Sequence, residues 1–146
     1  MIRQWLDARN AHVWTTLGHA VLLAHLAADK GLTQYTEQFL AELEPFADRI
    51  AIIGQVGVVG PVALAIARLY AASDDIARAA EFNAIARDIA TRTGGIPSAL
   101  RCRLLDCQLR PPSVARAADV STIIDAATSI GMNGLVTEAR RLVAGA

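Results

Sequence analysis

The chain has 146 residues and a mass of 15.5 kDa, the size of one ordinary domain with bulk enough to bury a core. Hydrophobic residues make up 53%, charged residues 19% and aromatics 5%, which excludes disordered and collagen-like classes. Fourteen basic residues balance 14 acidic ones, so no global field draws the chain to nucleic acid or to an anionic membrane.

Alanine is the commonest residue, and as the best helix former it favours helices that pack closely. The first periodic segment, residues 2–30, places Leu6, Val13, Leu17, Ala20, Val21, Ala24 and Ala28 on one face. Gly31 ends it as a C-terminal glycine, and Thr33 is placed to cap a second helix, residues 33–44. That helix would bury Thr36, Phe39, Leu40 and Leu43 before Pro45 stops it.

From residue 50 to 67 no charge occurs, and Arg49 and Arg68 flank the stretch. Gly54, Gly57, Gly60 and Pro61 interrupt it, so a continuous spanning helix is not expected there. The reading is an apolar glycine-containing loop over residues 48–60, then a helix over 61–72 with Pro61 in its first turn.

Ser73-Asp74-Asp75 supplies a turn and an N-cap for a long helix, residues 76–93, with the stripe Ile76, Ala79, Phe82, Ala86, Ile89 and Ala90. Gly94-Gly95 stops it. Another helix runs from Ser98 to Leu109, where Pro111-Pro112 forbids continuation. Ser113 caps residues 114–130, and Asn133 caps a last helix carrying Leu135, Ala139, Leu142 and Val143.

No segment alternates with the period of a half-buried strand, and a short extended piece within 50–59 would have no partner. The expected fold class is all-α, one helical repeat domain over residues 1–146. The segments pair as helix, tight turn, helix, and the second helices begin near Leu32, Ile76 and Val114, offset by 44 and 38 residues. Similar offsets in this range point to a degenerate solenoid of about three helical hairpins plus a C-terminal helix.

Several segments share an order with a known family. Trp14, Leu43-Glu44-Pro45 and Gly60-Pro61-Val62 come first. Leu69-Tyr70-Ala71-Ala72-Ser73-Asp74-Asp75 then leads into Ala77-Arg78-Ala79-Ala80-Glu81. Ala90-Thr91-Arg92-Thr93-Gly94-Gly95-Ile96-Pro97 and Arg101 follow. Ile130-Gly131-Met132-Asn133-Gly134-Leu135 and Ala139-Arg140-Arg141-Leu142 close the series. Together they resemble the C-terminal tetratricopeptide-like helical region of large actinobacterial LuxR-type or adenylate-cyclase-linked regulators with a signal-transduction NTPase domain. The strict repeat pattern would place an aromatic four residues after Ala79, where this chain has Asn83 and offers Phe82 one place early. The resemblance implies a non-catalytic protein–protein interaction module of a bacterial regulator, with no cofactor.

Candidate chemistry is sparse. Gly54-Gln55-Val56-Gly57-Val58-Val59-Gly60 before Pro61 has the outline of a phosphate loop. It has no Lys, and Pro61 removes an amide at the helix start. His12 and His19 lie about 10 Å apart along a helix, too far to share a metal. Five residues apart on a helix, Cys102 and Cys107 point about 140° apart, so a local disulfide is not expected, and reduced thiols in the cytoplasm are. The N-terminus opens no signal peptide.

Residues 113–130 have the outline of a helix-turn-helix start, the basis of an alternative reading as a DNA-binding regulator. A groove between hairpins that senses a small molecule is a further alternative.

Charge divides unevenly, net −3 over residues 1–75 and +3 over 76–146. Arg87, Arg92, Arg101, Arg103, Arg110 and Arg116 crowd into 30 positions, and Arg101, Arg103 and Arg110 are the candidate contacts for an acidic protein partner. The first helix has a second face, on which Trp5, His12, His19 and Leu26 recur every seven residues. That face is the candidate homodimer seam.

Overall fold

The computed structural model describes residues 16–54 and 57–144. Trp5, His12 and Trp14 therefore lie outside the described residues. Seven α-helices occur among them: α1 (Thr16–Asp29), α2 (Thr36–Leu43), α3 (Val62–Ala72), α4 (Ile76–Arg92), α5 (Ile96–Leu109), α6 (Val114–Ser129) and α7 (Asn133–Ala144). None is long and apolar enough to cross a membrane. Successive helices pack on each other, and the odd-numbered series α1, α3, α5, α7 is also in contact from each member to the next.

The chain is mostly helical, as an all-α class implies, but the expected loop is a β-hairpin, so the extended piece expected to lack a partner has one. β1 (Ile50–Ile53) pairs antiparallel with β2 (Gly57–Pro61) in the register Ile50↔Pro61, Ala51↔Gly60, Ile52↔Val58 and Ile53↔Gly57. Val59 has no opposite residue, so the ladder carries a bulge. That bulge and the glycines erase the period-two pattern. The hairpin rests on α1 at Gly18, where an added Cβ would stand 2.3 Å from the Ile52 carbonyl oxygen.

Helix ends follow local chemistry. α1, α3, α4 and α6 all stop on a left-handed residue: Gly31, Gly94 and Gly131, and in α3 Asp74 with φ 61°. Paired bonds close each end, as with Leu32 N to Ala27 O at 2.9 Å and Gly31 N to Ala28 O at 3.2 Å. Asp75 accepts from Arg78 N at 3.0 Å and Ser113 from Arg116 N at 3.1 Å, the two side-chain caps expected for α4 and α6.

Other boundaries move. Thr33 caps nothing, because Thr33–Tyr35 is a 3-10 turn and α2 begins at Thr36. Pro61 is the last residue of β2 and stands one place before α3. α5 starts at Ile96 rather than Ser98, since a proline in the first turn forfeits no helical bond. Asn133 lies inside α7 instead of capping it. α6 is one uninterrupted helix through Asp119, so the turn required by a helix-turn-helix reader is absent.

Two buried clusters share α5. One gathers α1, α2, α3, α4 and the hairpin and takes Cys102 and Leu105 from α5; the other joins α6 and α7 to Leu100, Leu104 and Cys107. The two cysteines thus sit in different cores. Phe82 stacks on Tyr70 with centroids 5.7 Å apart, and the Arg78 guanidinium lies over both rings. Asn83, in the place the repeat pattern gives to an aromatic, is fully buried and donates to Cys102 O at 2.9 Å and Asp106 Oδ1 at 2.6 Å.

Arg116 is buried as well. It donates to Arg110 O at 2.7 Å and Leu142 O at 3.4 Å, carbonyls at the ends of α5 and α7 where a cation is favoured.

Replacing Gly18 with Ala adds helix propensity worth about 1 kcal/mol. The clash with a backbone oxygen outweighs that gain, and a net loss of about 1–3 kcal/mol is expected. Hydrogen exchange should show the hairpin amides opening first; a more stable Gly18→Ala protein would contradict this seating. Arg116→Met should cost about 2–3 kcal/mol in urea unfolding by leaving two carbonyls unpaired, against about 0.5 for Arg140→Met at an exposed site.

Candidate functional site

Two concave surfaces lie on opposite sides of α5. The first spans α4, α5 and α6 and encloses about 510 Å³. Ile76, Ala80, Leu109 and Ile123 line it with Cys107, and Arg103, Asp106, Arg110 and Asp119 are its polar residues. Ile76 was expected in the α4 core stripe but is 46% exposed here, one turn ahead of the residues that α4 buries against its neighbours.

The second surface, of about 410 Å³, is built by the odd-numbered helices and the hairpin. α1 contributes Leu22, His25 and Asp29; α3 contributes Leu64 and Arg68; α5 contributes Arg101; α7 contributes Gly134, Leu135 and Glu138. Val59, Gly60 and Pro61 of β2 complete the wall.

A polar cluster occupies the second surface. Arg68 bonds the Asp29 carboxylate, approaches His25 Nδ1 at 3.2 Å, and lies 3.9 Å from Glu138. Gln108 holds Glu138 from the other side at 2.9 Å. A guanidinium only donates, so His25 Nδ1 accepts and the ring proton sits on Nε2. Burial, then the charges of Arg68 and Arg101, push the His25 pKa down from 6.5 to about 3. The imidazole is therefore neutral at neutral pH.

The three candidate arginines do not meet. Arg101 opens onto the second surface, while Arg103 and Arg110 belong to the first. Positions 101 and 103 stand about 200° apart around a helix, which separates them by the thickness of α5. Arg110 pairs with Asp119 at 2.7 Å, and Arg103 donates to Thr122 at 2.7 Å. Arg87 and Arg92 are tied to Asp106 and Asp88, each at 2.8 Å. Of the six clustered arginines, Arg101 alone has neither an ion pair nor a hydrogen bond among the described residues.

On the proposed dimer seam, His19 and Leu26 are both half-buried, and His19 is engaged by other groups. Burial holds the Cys102 thiol up at about 12, which makes it inert at neutral pH. No group of three or more His, Cys, Asp and Glu fit to hold a metal occurs among the described residues. Sequence reasoning missed His25 and Arg68 as a pair, because 43 positions separate them and no local pattern joins them.

No family model, curated protein or solved structure matches the chain.

The depressed His25 pKa gives a signed pH dependence. Below pH 6.5 the unfolded chain binds a proton that the folded chain refuses until about pH 3. This contribution to stability is complete above pH 6.5 and is lost as pH falls through that window, by up to about 1.4 kcal/mol per pH unit. Urea unfolding at about pH 7 and about pH 5.2, the latter above the ordinary carboxylate range, reads it. His25→Gln should flatten the difference; equal slopes in both proteins would refute the assignment.

Proposed function

We propose that the chain is a non-catalytic protein–protein interaction module of a bacterial regulator, organised as a tetratricopeptide-like array of helical hairpins. The resemblance in segment order supports this reading. So does the pairing of α1 with α2, α3 with α4 and α5 with α6, whose second members start at Thr36, Ile76 and Val114 at nearly even spacing.

The observation that carries it is the groove between α4, α5 and α6. Its lining is mostly apolar, Ile76 stands exposed beside it, and charged side chains are interspersed. An apolar centre with a polar rim is the anatomy of a protein interface. A groove between helices takes the apolar face of an amphipathic helix from a partner. Arg103 and Arg110 are already engaged within the fold, so they orient a partner more than they attract it.

A photo-crosslinking residue at Ala80, inside this groove, should yield a discrete protein adduct in the native host, and one at Thr137 on exposed α7 should not. Ile76→Asp should weaken the isolated complex about tenfold or more, because it places a charge in the groove's exposed apolar lining. Replacing Arg103 and Arg110 with Gln should lower its salt dependence. Adducts at both positions alike, or none in the groove, would defeat the reading.

A further inference from the structure

The second surface has a different character, and it serves a different ligand from the partner helix proposed above. We infer that the groove between α1, α3, α5 and α7 is a binding site for a small carboxylate with an apolar body. The placement of charge leads to this. Arg68 is satisfied within the wall by Asp29, His25 and Glu138, and Gln108 holds Glu138 as well. Arg101 faces the same cavity with no partner among the described residues, so it is the cation left for a ligand.

His25 adds a donor without adding charge. Its Nδ1 is occupied by Arg68, which leaves Nε2–H with no acceptor among the described residues. A neutral N–H beside one guanidinium suits a monoanion. A dianion would meet Asp29 and Glu138 with only one free positive charge to offset it. A cation would face two guanidiniums, Arg68 and Arg101, in the same groove. The start of α7 works in the same direction, since the Gly134 and Leu135 amides precede the first helical bond, Val136 N to Met132 O. At Gly134 nothing stands within 4 Å of the missing Cβ, so a ligand approaches that backbone freely.

The remaining walls are apolar: Leu22, 46% exposed, with Val59, Leu64 and Leu135. A volume of about 410 Å³ falls within the range of small-molecule sites. Carboxylate at Arg101 and hydrocarbon along these side chains satisfies both parts of the lining at once.

The test is calorimetric titration of the full chain with octanoate, with octanol and octylamine as neutral and cationic counterparts of the same length. Saturable octanoate binding is expected, about tenfold tighter than either control. Arg101→Gln should weaken octanoate about fivefold or more with octanol unchanged, and Arg103→Gln, on the opposite side of α5, should leave octanoate unchanged. Both substitutions are on exposed positions and leave the cores intact. Octanoate affinity should also hold steady from about pH 6 to pH 8, because His25 is neutral throughout. No saturable octanoate binding, equal binding of octanol or octylamine, or indifference to Arg101→Gln would each overturn the site. None of these results bears on the α4–α6 groove, so the two assignments fail or stand separately.

Discussion

The burial of α3 on every side is the constraint from which the rest of the architecture follows. Each residue from Val62 to Ala67 exposes 2% of its surface or less. A helix with no outward face must have neighbours all round it, and α1, α2, α4 and β2 supply them. Ala63, Ala65 and Ala67 keep its surface shallow, which lets those neighbours come close. The uncharged stretch before α3 is explained together with it. The hairpin continues into α3 through Val62 N to Arg49 O at 3.0 Å, so strand and buried helix form one apolar unit.

What was legible in the sequence was local. Gly31 and Gly94 marked helix ends because a left-handed stop favours a residue without Cβ, and Asp75 and Ser113 marked starts because their oxygens reach amides three residues on. The stripe Ala79, Phe82, Ala86, Ile89 and Ala90 is buried as its spacing predicts. The hairpin was hidden because a bulge at Val59 shifts the pleat and glycines give no side-chain signal. Arg116 was legible only as one of six clustered arginines, because no local pattern announces that carbonyls at Arg110 and Leu142 converge on it. The division between Arg101 and Arg103 was legible in principle, since positions two residues apart on a helix point to nearly opposite sides.

α5 is where both proposed sites acquire their independence. Its alternate faces enter separate cores, with Cys102 and Leu105 in one and Leu100, Leu104 and Cys107 in the other. Its polar positions are divided in the same way, Arg101 to one groove and Arg103 and Arg110 to the other. A single helix that supports two cores has no freedom to turn, because rotating it would expose apolar residues on one side while burying charge on the other. Asn83 reinforces this. Its amide bonds the Cys102 carbonyl and the Asp106 carboxylate, which fixes the rotation of α5 against α4. An aromatic at that position would pack there without setting an angle.

The polar cluster on α1 and α3 follows from the same constraint. α3 emerges from full burial at Arg68, whose side chain is 20% exposed, and a guanidinium that far from water needs acceptors. α1 presents His25 and Asp29 at i and i+4, one turn apart on the face turned toward α3, so both reach the same guanidinium. Asp29 neutralises it, and His25 takes a further N–H only as the neutral ring. The cluster thus lets an otherwise buried helix carry one charge, at Arg68. Its consequence for the groove is that Arg68 is already engaged by Asp29 and His25, and Arg101 stands as the second cation beside the Glu138 carboxylate.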